Sequence, residues 1–375
     1  MKKILILYAK YGGGHLSAAN ALENYLKNNY STICDVQSID CVEYINKYFS
    51  KVTTGAYKKM ARNTPKLWKK VYYGATHGPL SHASKELNRI MSIKLNKLFK
   101  EYQPDIVLSV HPFGSQMTSY LKNHKHLNCK LATIFTDFAP HEQWLIGKEF
   151  CDYFFVSNEN MKTTLISSYD IDEQKIHVTG IPLSSRFNGP FDNSNTMQKY
   201  NLNPEKKLVL FFGGGEFGLG KTINIQILRS LTKHLDNYQI LAISGKNKKM
   251  YDEFLNIAEE VQNKDLHVIE YTTDVPDLMH ISSLVITKPG GLTSSESLAS
   301  HLPIIIINPI PGQEEENAEF LEKSGSAIWL KNSENVEKLI DELLQNSDKL
   351  NMMKQQSILI AKPNSTADIC STILN

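Results

Sequence analysis

Short, continuous apolar runs recur along this chain with longer amphipathic stretches between them, and that alternation does most to limit what it can fold into. The runs fall at residues 4–8, 106–110, 131–135, 153–156, 208–212, 240–244, 284–287 and 304–308. Strands buried on both faces read this way, and parallel sheets covered by helices supply such strands. Residues 16–27, 223–234 and 294–300 read as helices between them. The alternation predicts an α/β, doubly wound architecture.

The chain has 375 residues, 41% of them hydrophobic, which is enough for two ordinary cores at roughly 100–200 residues per domain. Periodicity breaks near 184–206, where Asn188, Gly189, Pro190, Asp192, Asn193 and Asn195 cluster as turn formers. Residues 1–190 and 191–362 are then each the size of one Rossmann-like domain. Residues 363–375 are left as a C-terminal helix with the option of packing back on the first domain.

The net charge of +2 points to no particular partner as a whole, and nucleic acid is not expected. Cys34, Cys41, Cys129, Cys151 and Cys370 include no C-x-x-C pair. A disulfide framework is therefore not expected; a reducing cytosol fits, with all five thiols structural. The first apolar run is too short for a signal peptide and lacks a small-residue cleavage site. No stretch approaches the ~18–20 apolar residues of a membrane-crossing helix.

Residues 47–100 stand apart. Lys47, Lys51, Lys58, Lys59, Arg62, Lys66, Lys69, Lys70, Lys85, Arg89, Lys94, Lys97 and Lys100 face a single acid, Glu86. Tyr48, Phe49, Tyr57, Trp68, Tyr72 and Tyr73 are interleaved with them. Lysines that meet anionic headgroups, with Trp and Tyr at the interface, suit a membrane surface. The same composition suits nucleic acid, or a solvated helix face whose aromatics point into the core.

Three glycine-rich loops each follow an expected strand and precede an expected helix. Such a turn aims backbone N–H groups and the positive end of the helix dipole at one point, and glycine permits close approach. The first loop is Tyr11-Gly12-Gly13-Gly14-His15. It lacks the spacing of a dinucleotide site. His15 lies where such folds bind ligands, and an imidazole there can take a proton from an attacking hydroxyl. It can equally cap or pack against the turn.

The second loop runs from Gly213, Gly214 and Gly215 to Gly220-Lys221-Thr222, a formal match to a P-loop. A P-loop NTPase also needs a strand ending in an acid for Mg²⁺. The later strands end in Thr287-Lys288 and Asn308-Pro309. The loop is better read as facing a diphosphate or an acceptor. In that setting Lys221 either adds charge near the phosphates or begins an exposed helix.

The third loop is Lys288-Pro289-Gly290-Gly291-Leu292-Thr293. Gly290 and Gly291 open a helix start to a phosphate, and Thr293 and Ser294 add hydroxyls. Glu296, one turn on, suits a ribose diol. Gln313 and Glu314, just after the turn Pro309-Ile310-Pro311-Gly312, suit sugar hydroxyls, with Asn317 in support.

The Gly290–Glu296 turn and the stretch Pro311-Gly312-Gln313-Glu314-Glu315-Glu316-Asn317 resemble GT-B nucleotide-sugar transferases related to the peptidoglycan GlcNAc transferase. The first half is more specific. Gly12-Gly13-Gly14-His15, Val110-His111-Pro112-Phe113, Thr136-Asp137-Phe138-Ala139-Pro140-His141 and Thr179-Gly180-Ile181-Pro182 resemble monogalactosyldiacylglycerol synthases and bacterial processive diacylglycerol β-glucosyltransferases. Ser244-Gly245-Lys246-Asn247 fits as well.

The resemblance implies two Rossmann-like domains with a cleft between them, and an inverting transfer of glucose or galactose from a UDP-sugar to diacylglycerol, with the option of repeating the step on its product. It implies no metal and no cofactor beyond the substrate. Gly290, Gly291 and Thr293 would take the diphosphate, Glu296 the ribose, and Gln313 and Glu314 the sugar. Gly213–Gly215 and Gly245 would line the donor pocket, with Asn317 beside it. Gly14, His15, His111 and His141 would face the acceptor. His15 is then the leading base and Asp137 the second, unless Asp137 orients His15 or caps a turn. The expected location is cytoplasmic, peripherally attached to the inner face of the cell membrane through the basic aromatic region. Competing readings are transfer to another lipid or small acceptor, a UDP-sugar epimerase on the same scaffold, a P-loop NTPase and a sugar-nucleotide sensor.

Overall fold

The structure is a computed structural model that describes residues 1–45, 55, 80–213, 220–331 and 336–375. It divides into two compact units. The first comprises Met1–Ser185, Pro311–Glu316 and Lys362–Asn375; the second comprises Arg186–Ile310 and Asn317–Ala361.

The first unit is built on strands β1 (Lys2–Tyr8), β2 (Cys34–Asp40), β3 (Ile106–Ser109), β4 (Lys130–Ile134), β5 (Tyr153–Val156) and β6 (Ile176–Val178). They pair in parallel in the order β2-β1-β3-β4-β5-β6. Successive residues of β1 enter opposite cores. Leu5 and Leu7 pack with Leu95, Phe99, Met117 and Leu121. Ile4 and Ile6 pack with Leu22, Leu26, Ile369 and Ile373. A strand with helices on both faces has no polar positions to alternate, which is why its sequence is an unbroken apolar run.

The helix Ser365–Leu374 belongs to this second face. Thr366 Oγ1 donates to the Leu183 carbonyl at 2.6 Å and accepts from the Leu183 N–H at 2.9 Å. Ser365 Oγ donates to the Ile181 carbonyl at 2.7 Å.

The second unit carries β7 (Lys207–Phe212), β8 (Tyr238–Ile243), β9 (Leu266–Ile269), β10 (Ser282–Thr287), β11 (Ile304–Ile306) and β12 (Ala327–Trp329). Their parallel order is β12-β11-β10-β7-β8-β9. Val209 and Phe211 of β7 pack with Ile227, Leu228 and Phe254 of the covering helices.

Each sheet is thus doubly wound, with strand order reversing between β1 and β3 in one and between β7 and β10 in the other. Ligands of such sheets bind beyond the carboxyl ends of the strands at that reversal. The apolar runs anticipate every central strand. They miss β2, β6, β9 and β12, which are the edge strands of the two sheets. β2 has the burial pattern of a strand covered on one face only, and the other three have three or four residues each.

All five cysteines are free and buried. Burial pushes the Cys129 and Cys151 thiols up to about 11, so neither is poised as a nucleophile. No described helix is long and apolar enough to cross a membrane. Most of the basic aromatic region, 46–54 and 56–79, lies outside the described residues.

Candidate active site

In the first unit, β1 runs through Tyr11–Gly13 into the helix Gly14–Tyr30. Gly12 has φ +104°, a conformation that a side chain disfavours. A Cβ on Gly12 or Gly13 would meet nothing within 4 Å, so this turn is open to approach. Gly13 is the N-cap and offers no side-chain bond, which leaves the first-turn N–H groups around Gly14 uncapped.

His15 follows at once and is half-buried. Its Nδ1 lies 2.7 Å from the Val110 carbonyl at the end of β3, and Thr136 Oγ1 is 3.2 Å from the same nitrogen. A carbonyl only accepts, so Nδ1 carries the proton and Nε2 the lone pair. Val110 is itself pinned, its N–H donating to Leu7 O at 3.0 Å. Burial lowers the His15 pKa, partly countered by the Asp137 charge and the Val110 carbonyl.

His111 is buried and is the N-cap of the helix Pro112–Lys125, where its Nδ1 accepts from the Phe113 N–H at 3.2 Å. Its ring lies edge-on to His15 at 4.6 Å and stacks on Tyr11 at 5.4 Å. Burial, reinforced by His15, holds it well below the ordinary imidazole value, so it is a neutral wall and not a base. His141 caps in the same way, accepting from the Gln143 N–H at 3.3 Å.

Asp137 follows β4 and is buried. The His15 Nδ1–H donates to the Val110 carbonyl, and the Asp137 charge acts on the His15 imidazole electrostatically. Asp137's backbone carbonyl accepts from Ser157 Oγ at 2.8 Å. Its carboxylate accepts from Gln313 Nε2, in the Pro311–Glu316 segment of this same unit. Glu314 follows in the first turn of the helix Gln313–Lys323 and is half-buried.

In the second unit, β10 leads through Lys288-Pro289-Gly290 into the helix Gly291–Ala299, three residues earlier than the expected start at Ser294. Gly290 is the N-cap without a side-chain bond, and a Cβ there would meet nothing within 4 Å. The first helical bond is Ser294 N to Gly290 O at 2.9 Å. The N–H groups of Gly291, Leu292 and Thr293 thus have no acceptor among the described residues. An open glycine, uncapped N–H groups and a helix dipole form an anion site.

Asn317, fully buried, donates to the Pro289 carbonyl at 3.1 Å and so holds this turn in place. Glu296 sits half-buried one turn into the helix, and burial pushes its carboxyl up to about 8.

Gly245, at the end of β8, has φ +59° and open space at its Cβ position. Gly213 differs: a Cβ there would lie 2.3 Å from Phe254, so packing alone demands glycine. Its carbonyl accepts from Asn224, whose Oδ1 accepts from Asn308 Nδ2 at 3.1 Å. Gly214 and Gly215 lie outside the described residues. Lys221 is exposed at the start of the helix Lys221–Leu231 and pairs with Glu253 at 2.5 Å.

The family model for monogalactosyldiacylglycerol synthase matches residues 15–183, and that for the glycosyltransferase family 28 C-terminal domain matches residues 208–372. The chain is 30% identical over 373 residues to a processive diacylglycerol beta-glucosyltransferase of Bacillus cereus, covering 99% of this chain and 93% of that protein. The chain belongs to the diacylglycerol glucosyltransferase family. It is a glycosyltransferase. Its fold is shared with S. aureus MnaA in a co-structure with UDP, at TM-score 0.66 and 16% identity over 100% of this chain and 96% of that one. It is shared equally with Acinetobacter baumannii MurG, at TM-score 0.63 and 13% identity over 100% and 99%. These likenesses make the fold GT-B.

For this glycosyltransferase, sequence reasoning missed the contacts of Thr136 with His15 and of Asn224 with Gly213 and Asn308. Thr136 stands beside Asp137 in the sequence and was within reach. The Asn224–Asn308 pair joins the helix Lys221–Leu231 to the loop after β11 and leaves no local signal.

Proposed function

We propose that this glycosyltransferase moves a hexose, glucose before galactose, from its UDP-sugar to the free hydroxyl of diacylglycerol, with inversion, and can act again on its product. The observation that carries the mechanism is the fixed tautomer of His15. With Nδ1 donating to Val110, Nε2 is a neutral base at the carboxyl edge of the first sheet.

Nε2 takes the acceptor's proton as its oxygen forms a bond to the anomeric carbon. The bond from that carbon to the UDP oxygen breaks on the opposite face. An α-linked donor thus yields a β-glycoside. The charge left on UDP meets the uncapped Gly290–Thr293 helix start, a role that elsewhere falls to a metal. In this reading no resident metal or cofactor is required. Glu296 binds the ribose, Asn317 sets the diphosphate turn, and Gln313 and Glu314 serve the sugar, with Gly245 and the Gly213–Gly215 loop lining the donor pocket. The first unit takes the acceptor at Gly14, His111 and His141, and the second carries the diphosphate turn and Glu296. Asp137, tied to Gln313, tunes the charge at His15.

The membrane reading gains support from the helix Leu80–Tyr102. Met91, Leu95, Leu98 and Phe99 are buried on one side of it. The opposite side presents Ile90 and Ile93, each 52% exposed, among Arg89, Lys94, Lys97 and Lys100. Exposed isoleucines ringed by cations suit an anionic bilayer surface. Peripheral attachment to the inner face of the cell membrane follows in this reading.

The test is incubation with radiolabelled UDP-hexoses and diacylglycerol micelles, with NMR coupling at the anomeric proton of any product. A labelled β-glycolipid is expected. Its absence with every common UDP-hexose overturns the proposal, and conversion of the UDP-sugar without acceptor makes the protein an epimerase.

A further inference from the structure

The second sheet also has an amino-terminal edge, remote along every strand from the glycine loops. A pocket of about 280 Å³ opens there. Lys207 at the start of β7, His280 before β10, His301 before β11 and Lys354 of the helix Ser347–Ile360 all line it, with Ser283 and Ser300 between them. No acidic residue lines it. Neither Lys207 nor Lys354 has a carboxylate partner among the described residues, whereas the adjacent Lys206 is paired with Asp265 at 2.7 Å. Many other surface lysines of this unit are also paired, such as Lys199 with Asp274 and Lys331 with Glu322.

His280 stacks on Phe191 with ring centroids 3.8 Å apart, and His301 has a left-handed backbone at φ +57°. Burial lowers the His301 pKa, and the neighbouring Lys354 and His280 charges lower it further.

We infer that this pocket binds a phosphate group through Lys207, Lys354, His280 and His301. Two lysines supply fixed positive charge, two imidazoles supply N–H donors, and serine hydroxyls complete the shell of a tetrahedral oxyanion. The phosphate belongs either to a soluble ion or to a phospholipid headgroup. The site is independent of the donor turn at Gly290 and of the transfer reaction.

The test uses the full chain labelled with ¹⁵N-histidine, with excess UDP present to occupy any diphosphate site. Inorganic phosphate is expected to shift the His280 and His301 resonances saturably. Lys207→Ala/Lys354→Ala should weaken that response by about tenfold or more, since a charge-assisted bond is worth at least the ~1.4 kcal/mol of one decade. His301→Asn, which tolerates the left-handed backbone, should remove one contact without unfolding the turn. Vesicles of phosphatidylglycerol, against phosphatidylcholine, identify the source. Matching shifts with phosphatidylglycerol alone assign a lipid headgroup, and shifts only with inorganic phosphate assign a soluble ligand. Histidine resonances unmoved by either, or moved equally in the double lysine variant, overturn the inference.

Discussion

His15 donates its Nδ1 proton to the Val110 carbonyl at 2.7 Å, and that one bond decides which ring nitrogen can act as a base. A neutral imidazole has one donor and one acceptor nitrogen. The acceptor that fixes the tautomer is a backbone atom of β3's end, so the paired strands themselves secure it. His15→Gln is expected to lower kcat by about 10²–10⁴, the usual contribution of a general base. UDP binding, measured by calorimetry, should be unchanged. Turnover within a few-fold of wild type would remove His15 from the chemistry.

The pH profile separates His15 from Asp137. His15 must be neutral to accept a proton, and burial lowers its pKa below the ordinary 6.5. The acid limb of kcat/KM should therefore have its midpoint below 6.5, with activity lost as pH falls through it. The Asp137 charge raises the His15 pKa, so Asp137→Asn should move that limb to still lower pH while retaining turnover. Loss of all turnover in Asp137→Asn, at every pH, would make the carboxylate the base.

The glycines make opposite predictions. Gly290 faces open space and has φ −64°, so Gly290→Ala should fold with an unchanged Tm. The new methyl would stand where the diphosphate approaches, and KM for the UDP-sugar should rise. Gly213→Ala would press a Cβ to 2.3 Å from Phe254 and should cost about 1–3 kcal/mol, the usual range for overpacking. Phe254→Leu should restore part of that loss in thermal unfolding. Equal Tm values for both single variants would show that the loop backbone yields freely.

Lys221 tests the P-loop resemblance. Its ion pair with Glu253 is exposed, and such pairs contribute about 0–1 kcal/mol. Lys221→Ala should change neither Tm nor glycolipid synthesis appreciably. A large loss of donor binding would return this lysine to the phosphates.

How much was legible in the sequence follows from burial. Central strands such as β4 and β8 are covered on both faces, so their apolar runs stand out. The edge strand β2 reads Cys-Asp-Val-Gln-Ser-Ile-Asp because water reaches one side of it, and β12 is only Ala327–Trp329. The glycine turns were legible because their backbone geometry needs glycine locally. The reasons behind individual residues were not. Gly213 looks like a phosphate glycine, yet Phe254, from a helix forty residues on in the sequence, dictates it. His111 looks like an acceptor contact and is first a helix cap. Asn317 was grouped with the sugar site by its position after Gln313, and its amide reaches back to Pro289.

Glu296 ties stability and donor binding to pH. Its carboxyl is pushed up to about 8 by burial, from an ordinary value of 4.5. The unfolded chain therefore releases this proton at lower pH than the folded one. Stability from the protonated form is full below 4.5 and is lost as pH rises toward about 8. Glu296→Gln keeps the shape of the protonated acid and has no proton to lose. The Tm of this variant relative to wild type should climb steadily between these two values. A carboxylate accepts from both ribose hydroxyls, whereas the acid must spend one oxygen as a donor. UDP should then bind the wild type more tightly as pH approaches 8 and release a proton on binding, measurable in buffers of different ionisation enthalpy. Glu296→Gln should show neither effect. Parallel Tm curves for the two proteins, with no proton released on UDP binding, would mean that Glu296 is ionised in the folded protein and that its burial does not govern donor recognition.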